Sequence, residues 1–116
     1  MLKREQRLVR QKDFDRVFSQ GKSYQNDCLV LRFFPNGLET ARFAAVISSR
    51  TEKKAAGRNL LRRQISEVIR DLERQKKLSL AVDAVVIAKP ALPGRSFKEI
   101  KESLASLLKK ADLLIQ

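Results

Sequence analysis

Arg58-Asn59-Leu60-Leu61-Arg62-Arg63-Gln64-Ile65-Ser66-Glu67-Val68-Ile69-Arg70-Asp71-Leu72 is the stretch on which the fold turns. Its apolar residues Leu61, Ile65, Val68, Ile69 and Leu72 recur at i, i+3, i+4 and i+7, the spacing of one face of an α-helix. At about 100° per residue, Leu61, Ile65, Val68 and Leu72 fall within roughly 60° of one another, and that face closes a core. Starting from Arg58, the residues Arg62, Ser66, Asn59, Arg70, Arg63 and Arg74 follow around a contiguous outer arc of roughly 160°. The pattern predicts a long amphipathic helix from 55 to about 77.

Downstream, Asp83-Ala84-Val85-Val86-Ile87-Ala88 is a nearly continuous apolar run closed by Pro90, the signature of a central strand covered on at least one face. Ser96-Phe97-Lys98-Glu99 then reads as a capping box, Ser at N-cap and Glu at N3. It opens a last helix with Phe97, Ile100, Leu104, Leu107, Leu108 and Ala111 on one face. Upstream, residues 42–49 and 28–34 read as two antiparallel strands flanking a Pro35-Asn36-Gly37 turn, with Tyr24 in an irregular lead-in. Asp13-Phe14-Asp15-Arg16-Val17-Phe18-Ser19-Gln20-Gly21 has apolar residues at helical spacing, acids at its start and Gly at its end, so a short helix is expected. The order is α-β-β-α-β-α, with room for one more short strand near Ser23. Residues 1–10 are expected to form a mobile basic arm.

The chain has 116 residues, enough for one domain spanning 1–116 and no second; no repeat or linker divides it. At this size a single α+β core buries roughly two-thirds of the surface its unfolded chain exposes, without disulfides or metal. There is no His, and Cys28 is the only cysteine. These absences remove His-based triads and every Cys/His zinc site one chain could build. Cys28, inside Cys28-Leu29-Val30-Leu31, reads as a small buried residue of a cytosolic protein. The start, Met1-Leu2-Lys3-Arg4-Glu5-Gln6-Arg7, carries no apolar run of signal-peptide or membrane-span length, so a cytoplasmic location without membrane contact is expected.

With 25 Lys and Arg against 13 Asp and Glu, the formal net charge is +12, which calls for a polyanionic partner. The charge is concentrated: Arg50, Lys53, Lys54, Arg58, Arg62 and Arg63 face one acid, Glu52, and no acid lies between Lys53 and Gln64. An ordinary solvated helix face intersperses acids with bases. Arg, which dominates within the helix, suits bidentate phosphate contact and stacking on bases. The basic face therefore reads as a phosphate-binding surface. Phe14 and Phe18, one turn apart, admit two readings that the residues alone leave open. They are core side chains, or an aromatic edge that stacks unpaired bases beside a basic groove.

Taken together, Arg7-Leu8, Lys12-Asp13-Phe14-Asp15-Arg16-Val17-Phe18, Arg42-Phe43, Arg58-Asn59-Leu60-Leu61-Arg62-Arg63, Asp83-Ala84-Val85-Val86-Ile87-Ala88-Lys89 and Ser103-Leu104-Ala105-Ser106-Leu107-Leu108 resemble, in order and spacing, the protein subunit of bacterial ribonuclease P. The most specific piece is Arg58-Asn59-Leu60-Leu61-Arg62-Arg63, which is similar to that family's Arg-Asn-Arg signature. The resemblance implies an α+β fold: a two-layer α/β sandwich whose mixed, mainly antiparallel sheet contains a left-handed βαβ crossover, an exception to the usual hand. It also implies a protein component of a ribonucleoprotein that removes the 5′ leader from precursor tRNA. The RNA subunit is then the catalyst and the chief ligand of the Mg²⁺, the protein positions substrate and supports that metal binding with no catalytic residue or metal ligand assigned to it, and no protein partner is implied.

Carried across, Arg58, Asn59, Arg62 and Arg63 match the helix that faces the RNA subunit, with Arg70 further along the same face. Arg50, Lys53 and Lys54 fall in the basic loop before it. Phe14 and Phe18 match aromatics of the cleft that receives the single-stranded leader, with Val30 and Arg32 on its floor. Three positions depart from the pattern: Leu60 replaces the usual third signature residue, Arg, Ser66 an often basic residue, and Ser49 another after the strand. Other readings are a structured-RNA binder of ribosomal type with no role in cleavage, a DNA-binding domain with the basic helix in the major groove, and a nuclease using clustered carboxylates such as Asp13 and Asp15.

Overall fold

The computed structural model describes residues 6–38, 40–75 and 81–113. The elements are α1 (Gln11–Gln20), β1 (Lys22–Gln25), β2 (Leu29–Pro35), β3 (Arg42–Val46), α2 (Ala55–Arg74), β4 (Val82–Ala88) and α3 (Phe97–Lys110). They build one mixed four-stranded sheet in the order β1-β2-β4-β3. The β1/β2 and β2/β4 pairs are antiparallel, and β3/β4 is parallel. The α+β fold expected from the sequence is the one observed.

The nearly continuous apolar run of β4 takes the central place because it has a neighbour on each side and a covered face on each side: Val82 through Val86 are all buried. This placement corrects the reading of the strands on either side of the Pro35-Asn36-Gly37 turn. β2 and β3 do run in opposite directions, but β4 lies between them, so they share no ladder. β3 also stops at Val46 rather than at 49, because residues 48–52 curl into a turn in which Thr51 N and Glu52 N donate to Ser48 O. Tyr24 lies in a regular strand, β1, where it stacks on Phe33 with ring centroids 6.1 Å apart.

Alternate residues of each strand face opposite sides. On one side Leu29, Leu31, Phe33, Phe43, Ala84 and Val86 pack against Leu61, Ile65, Val68, Ile69 and Leu72 of α2 and Ile100, Leu104, Leu107 and Leu108 of α3. These helix positions are the ones the periodicity selected. Phe97, expected on the same face, is instead 43 % exposed, because it is the first residue of α3 and lies a turn ahead of Ile100, where contact with the sheet begins. The Ser96–Glu99 capping box is present with both reciprocal hydrogen bonds. The expected end of α2 near 77 falls beyond the described residues, and the observed helix closes at Arg74.

On the other side lies α1, packed on Leu8, Val85, Phe34, Ala44 and Ile87 mainly through Val17. The helix begins at Gln11, two residues ahead of the expected start, since Asp13 is not its cap but reaches into the sheet. Gly21 ends it for a steric reason. A Cβ there would stand 2.3 Å from Val17 O and 2.7 Å from Phe33 O. The expected arm of residues 1–10 is anchored over part of its length: Gln6 and Leu8 are buried, and Arg7 bridges to Phe43 in parallel. Residues 1–5 lie outside the described chain.

The hand of the β3-α2-β4 crossover follows from one hydrogen bond. Phe43 points its side chain toward α2, and its carbonyl accepts from Leu8 N at 2.9 Å on the side away from β4. Viewed from α2 with β3 running upward, an L-residue whose side chain faces the viewer directs its N–H and C=O to the right. Leu8 therefore lies to the right of β3 and β4 to its left. A helix in front that leads leftward is a left-handed crossover, contrary to the general rule.

Candidate nucleic-acid interface

The left-handed crossover places the loop 47–54 and the first turns of α2 at the end of the sheet where β3 and β4 finish. Thr51 Oγ1 donates to Ala88 O at 3.4 Å and ties this loop to β4. Arg58 Nη1 donates to Glu52 O at 2.9 Å and Lys53 O at 2.8 Å, so this half-buried guanidinium holds the loop's carbonyls in place. The one acid of the segment is occupied locally. Glu52 Oε1 accepts from Lys54 N at 3.1 Å beside the α2 N-terminus, where a carboxylate complements the helix dipole. A Cβ on Gly57 would come within 2.7 Å of the Glu52 side chain, so glycine leaves that carboxylate its room.

The outcome is a basic rim whose one loop acid, Glu52, is turned to the α2 N-terminus. Arg50, Lys53 and Lys54 are exposed, and so is Arg63, whose side chain makes no hydrogen bond or ion pair among the described residues. Asn59 Oδ1 accepts from Arg62 Nη1 at 2.5 Å, so these two side chains present themselves jointly. Arg70 differs from the rest: it stands 3.7 Å from Glu67 in an exposed pair one turn apart, which contributes little by itself but offsets its charge. Leu60 is 49 % exposed beside this basic surface. Ser49 is exposed and Ser66 partly so.

The second group of candidate residues lies on the α1 side of the sheet. Arg32 pairs in register with Val85, Val30 with Ile87, and Ile87 with Val46, so Val30, Ile87 and Val46 form one row across three strands. All three are partly exposed, an apolar floor that α1 covers only in part. Phe14 is half-buried against Leu8, Val17 and Val85, while Phe18 is 44 % exposed. Arg32 links wall and floor. Its guanidinium carbon sits 5.5 Å from the centroid of the Phe18 ring, and its Nη2 donates to Phe18 O at 2.6 Å. Arg32 Nε is buried without a partner. The structure thus separates the pair, Phe14 leaning to the core and Phe18 to solvent.

The structure brings Phe14, Phe18, Val30 and Arg32 together and adds three residues that sequence reasoning missed. Val46 and Ile87 complete the floor. Lys89 continues the Val85, Ile87 alternation, and its Nζ donates to Asn26 O at 2.8 Å and Gln25 Oε1 at 3.2 Å. The period-two pattern was visible along residues 85–89, but only the strand register shows that Val46 and Val30 share its row. The open floor runs directly through Val46 into the basic loop. Partly exposed apolar and aromatic surface bordered by cations is the arrangement that stacks single-stranded bases while holding a backbone.

Asp13 and Asp15 do not come together. Asp13 is buried on Arg42 at 3.4 Å, whereas Asp15 is exposed and accepts from Gln11 Nε2 at 2.9 Å. Among the described residues no group of three or more His, Cys, Asp or Glu comes together. Cys28 is buried, and burial pushes its thiol up, away from the reactive thiolate.

Comparison with known proteins yields a consistent result. The sequence profile of the family described as Ribonuclease P matches residues 2–112. The chain is 34 % identical over 107 residues to the ribonuclease P protein component of Clostridium kluyveri, covering 92 % of this chain and 95 % of that one. It is 35 % identical to the ribonuclease P protein component of Shouchella clausii, covering 97 % and 91 %. Among solved structures, the RNase P protein from Thermotoga maritima superposes with a TM-score of 0.80 at 32 % identity, over 90 % of this chain and 96 % of that one. The RNase P protein of Staphylococcus aureus gives 0.78 at 27 % identity, over 95 % and 98 %.

Proposed function

The chain belongs to the ribonuclease P protein family, and we propose that the two surfaces described above divide its work, α2 and its loop docking the RNA subunit while the open sheet face receives the leader. As the protein component of ribonuclease P it serves in removing the 5′ leader of precursor tRNA, a hydrolase activity of the holoenzyme, and its partner is RNA. The observation that carries the division is the junction at Val46, where the apolar floor meets the basic loop whose one acid, Glu52, is occupied beside the α2 N-terminus.

In this reading Arg50, Lys53, Lys54, Asn59, Arg62 and Arg63 contact phosphates and bases of the RNA subunit, and Arg58 contributes chiefly by shaping the loop. Arg70 joins them when its Glu67 pairing is released. Phe18 and Phe14 stack leader bases over Val30 and Ile87, with Arg32 and Lys89 as flanking cations. Mg²⁺ is assigned chiefly to the RNA. Asp13 and Asp83 of this chain are engaged with Arg42. In this reading the protein works in the cytoplasm with that RNA. Separately, no helix among the described residues is long and apolar enough to cross a membrane.

Precursor tRNA cleavage by a bacterial ribonuclease P RNA at low Mg²⁺, with and without this protein, tests the division. The substrates differ only in leader length. Stimulation that grows with the leader supports the cleft, whereas stimulation blind to leader length removes it. With six phosphate contacts, affinity for the RNA subunit should fall about a thousandfold between about 50 and about 200 mM salt.

A further inference from the structure

α1 carries the aromatic wall of the cleft, yet it has little apolar purchase on the sheet. In its ten residues only Asp13 and Val17 are buried, and its N-cap, Arg10, makes no side-chain capping bond. A helix this short has no stability of its own, so its pose depends on what holds it. Both ends are held by guanidinium groups. At the C-terminal end Arg32 Nη2 donates to Phe18 O. At the N-terminal end Asp13 meets Arg42 Nη2 at 3.4 Å, and Arg42 lies on Asp83 through two parallel bonds, Nε to Oδ1 and Nη2 to Oδ2, each 2.7 Å. Asp83 Oδ1 also accepts from Asn36 Nδ2 at 2.9 Å.

Asp13 and Asp83 are 4 % and 2 % exposed, so two carboxylates are buried around one guanidinium in a chain whose net charge is +12. Such networks are poor sources of stability, because desolvation offsets most of the attraction. What they supply is direction, since a planar fork on a carboxylate fixes an angle as well as a distance. Arg42 and Asp83 are partners across the β3/β4 ladder, rigid within the sheet, so Asp13 is the point at which α1 is registered against it.

We infer that Asp13, Arg42 and Asp83 are positioning residues for leader binding: the buried Asp13–Arg42–Asp83 network sets the angle at which Phe14 and Phe18 face the Val30, Ile87 and Val46 floor. The inference rests on the reading of that face as the leader cleft. Asp13→Asn is the direct probe, because it leaves the neutral Arg42–Asp83 pair intact and releases only the helix.

The experiment uses holoenzyme reconstituted with a bacterial ribonuclease P RNA and measures KM and kcat for precursors with a full and a truncated leader, well below the melting temperature. Misplacing the wall should raise KM for the full leader about tenfold at unchanged kcat, while the truncated precursor changes less than about twofold. Arg42→Lys, which keeps the charge but loses the planar fork, should show the same split. An equal loss on both substrates, or an unchanged KM for the full leader, overturns the inference by reducing the network to a fold-holding role or to none. Wild-type holoenzyme that gains nothing from the full leader overturns the cleft itself. A wild-type gain retained in both variants overturns only the positioning role.

Discussion

On β2, Leu29, Leu31 and Phe33 point toward α2 and α3 and are buried, whereas Val30, Arg32 and Phe34, alternating with them on the same strand, point toward α1 and are only partly covered. Two helices of 20 and 14 residues close the first face, and one of 10 residues closes part of the second. The closed face holds the fold together. The open face leaves apolar area and an aromatic ring in solvent, at a cost in burial of roughly 25 cal/mol per Å² left uncovered. Surface of that kind, beside a basic loop, becomes useful when a nucleic acid completes it. Stability and leader recognition should therefore respond to different substitutions, although both faces belong to one sheet.

The largest effect is expected on the closed face. Ile65 is fully buried, and Ile65→Ala should lower unfolding free energy by about 2–5 kcal/mol in urea denaturation. The folded fraction should keep the full gain from a long leader, and loss of that gain would show that the two faces are not separable. Phe18→Ala is the reciprocal case. Because its ring is 44 % exposed, removing it should change stability by less than about 1 kcal/mol. It should weaken binding of the long-leader precursor by about 1–3 kcal/mol, the range for loss of one stacking platform. An unfolded Phe18→Ala protein would place that ring in the core and erase the contrast.

Leu60→Arg tests the basic rim. It would extend the cation arc at a position where Leu60 already points half its surface to solvent. A new phosphate contact should steepen the log–log salt dependence of RNA-subunit binding by about one. An unchanged slope means the RNA does not reach that position, and Leu60 lies outside the docking face.

Much of the closed face was legible in the sequence, because burial there follows from spacing within single elements. The apolar set of α2, the continuous run of β4 and the capping box of α3 each repeat a local rule. The open face was less legible because its parts meet only through pairing between distant segments. Nothing local places Val46 beside Ile87, or inserts β4 between β2 and β3. Asp13 reads as a favourable first-turn acid, and only the register of Arg42 with Asp83 shows it as a tether. Arg58 likewise reads as a free cation until Glu52 O and Lys53 O are seen to occupy it. Phe97 carries the opposite lesson, since a correct period extends one residue too far where the helix has not yet reached the sheet.

The smallest effect expected is one of pH, and it also belongs to the closed face. Glu99 Oε1 accepts from Ser96 N at 3.0 Å, and this backbone bond, with the Ser96 side chain and the charge of Arg95, holds the Glu99 carboxyl below its ordinary value. A carboxyl whose pKa is lower in the folded state stabilises fully above the ordinary glutamate value, and this stabilisation fades as pH falls through the folded value. Glu99→Gln keeps an acceptor of similar shape but has no proton to gain. The urea midpoints of the two proteins should therefore differ at neutral pH and converge in acid. A difference constant with pH would mean that the capping geometry, not the charge, was lost. In either case the gain from a long leader should be untouched, because α3 packs on α2 and the closed face, with the sheet between it and Phe18.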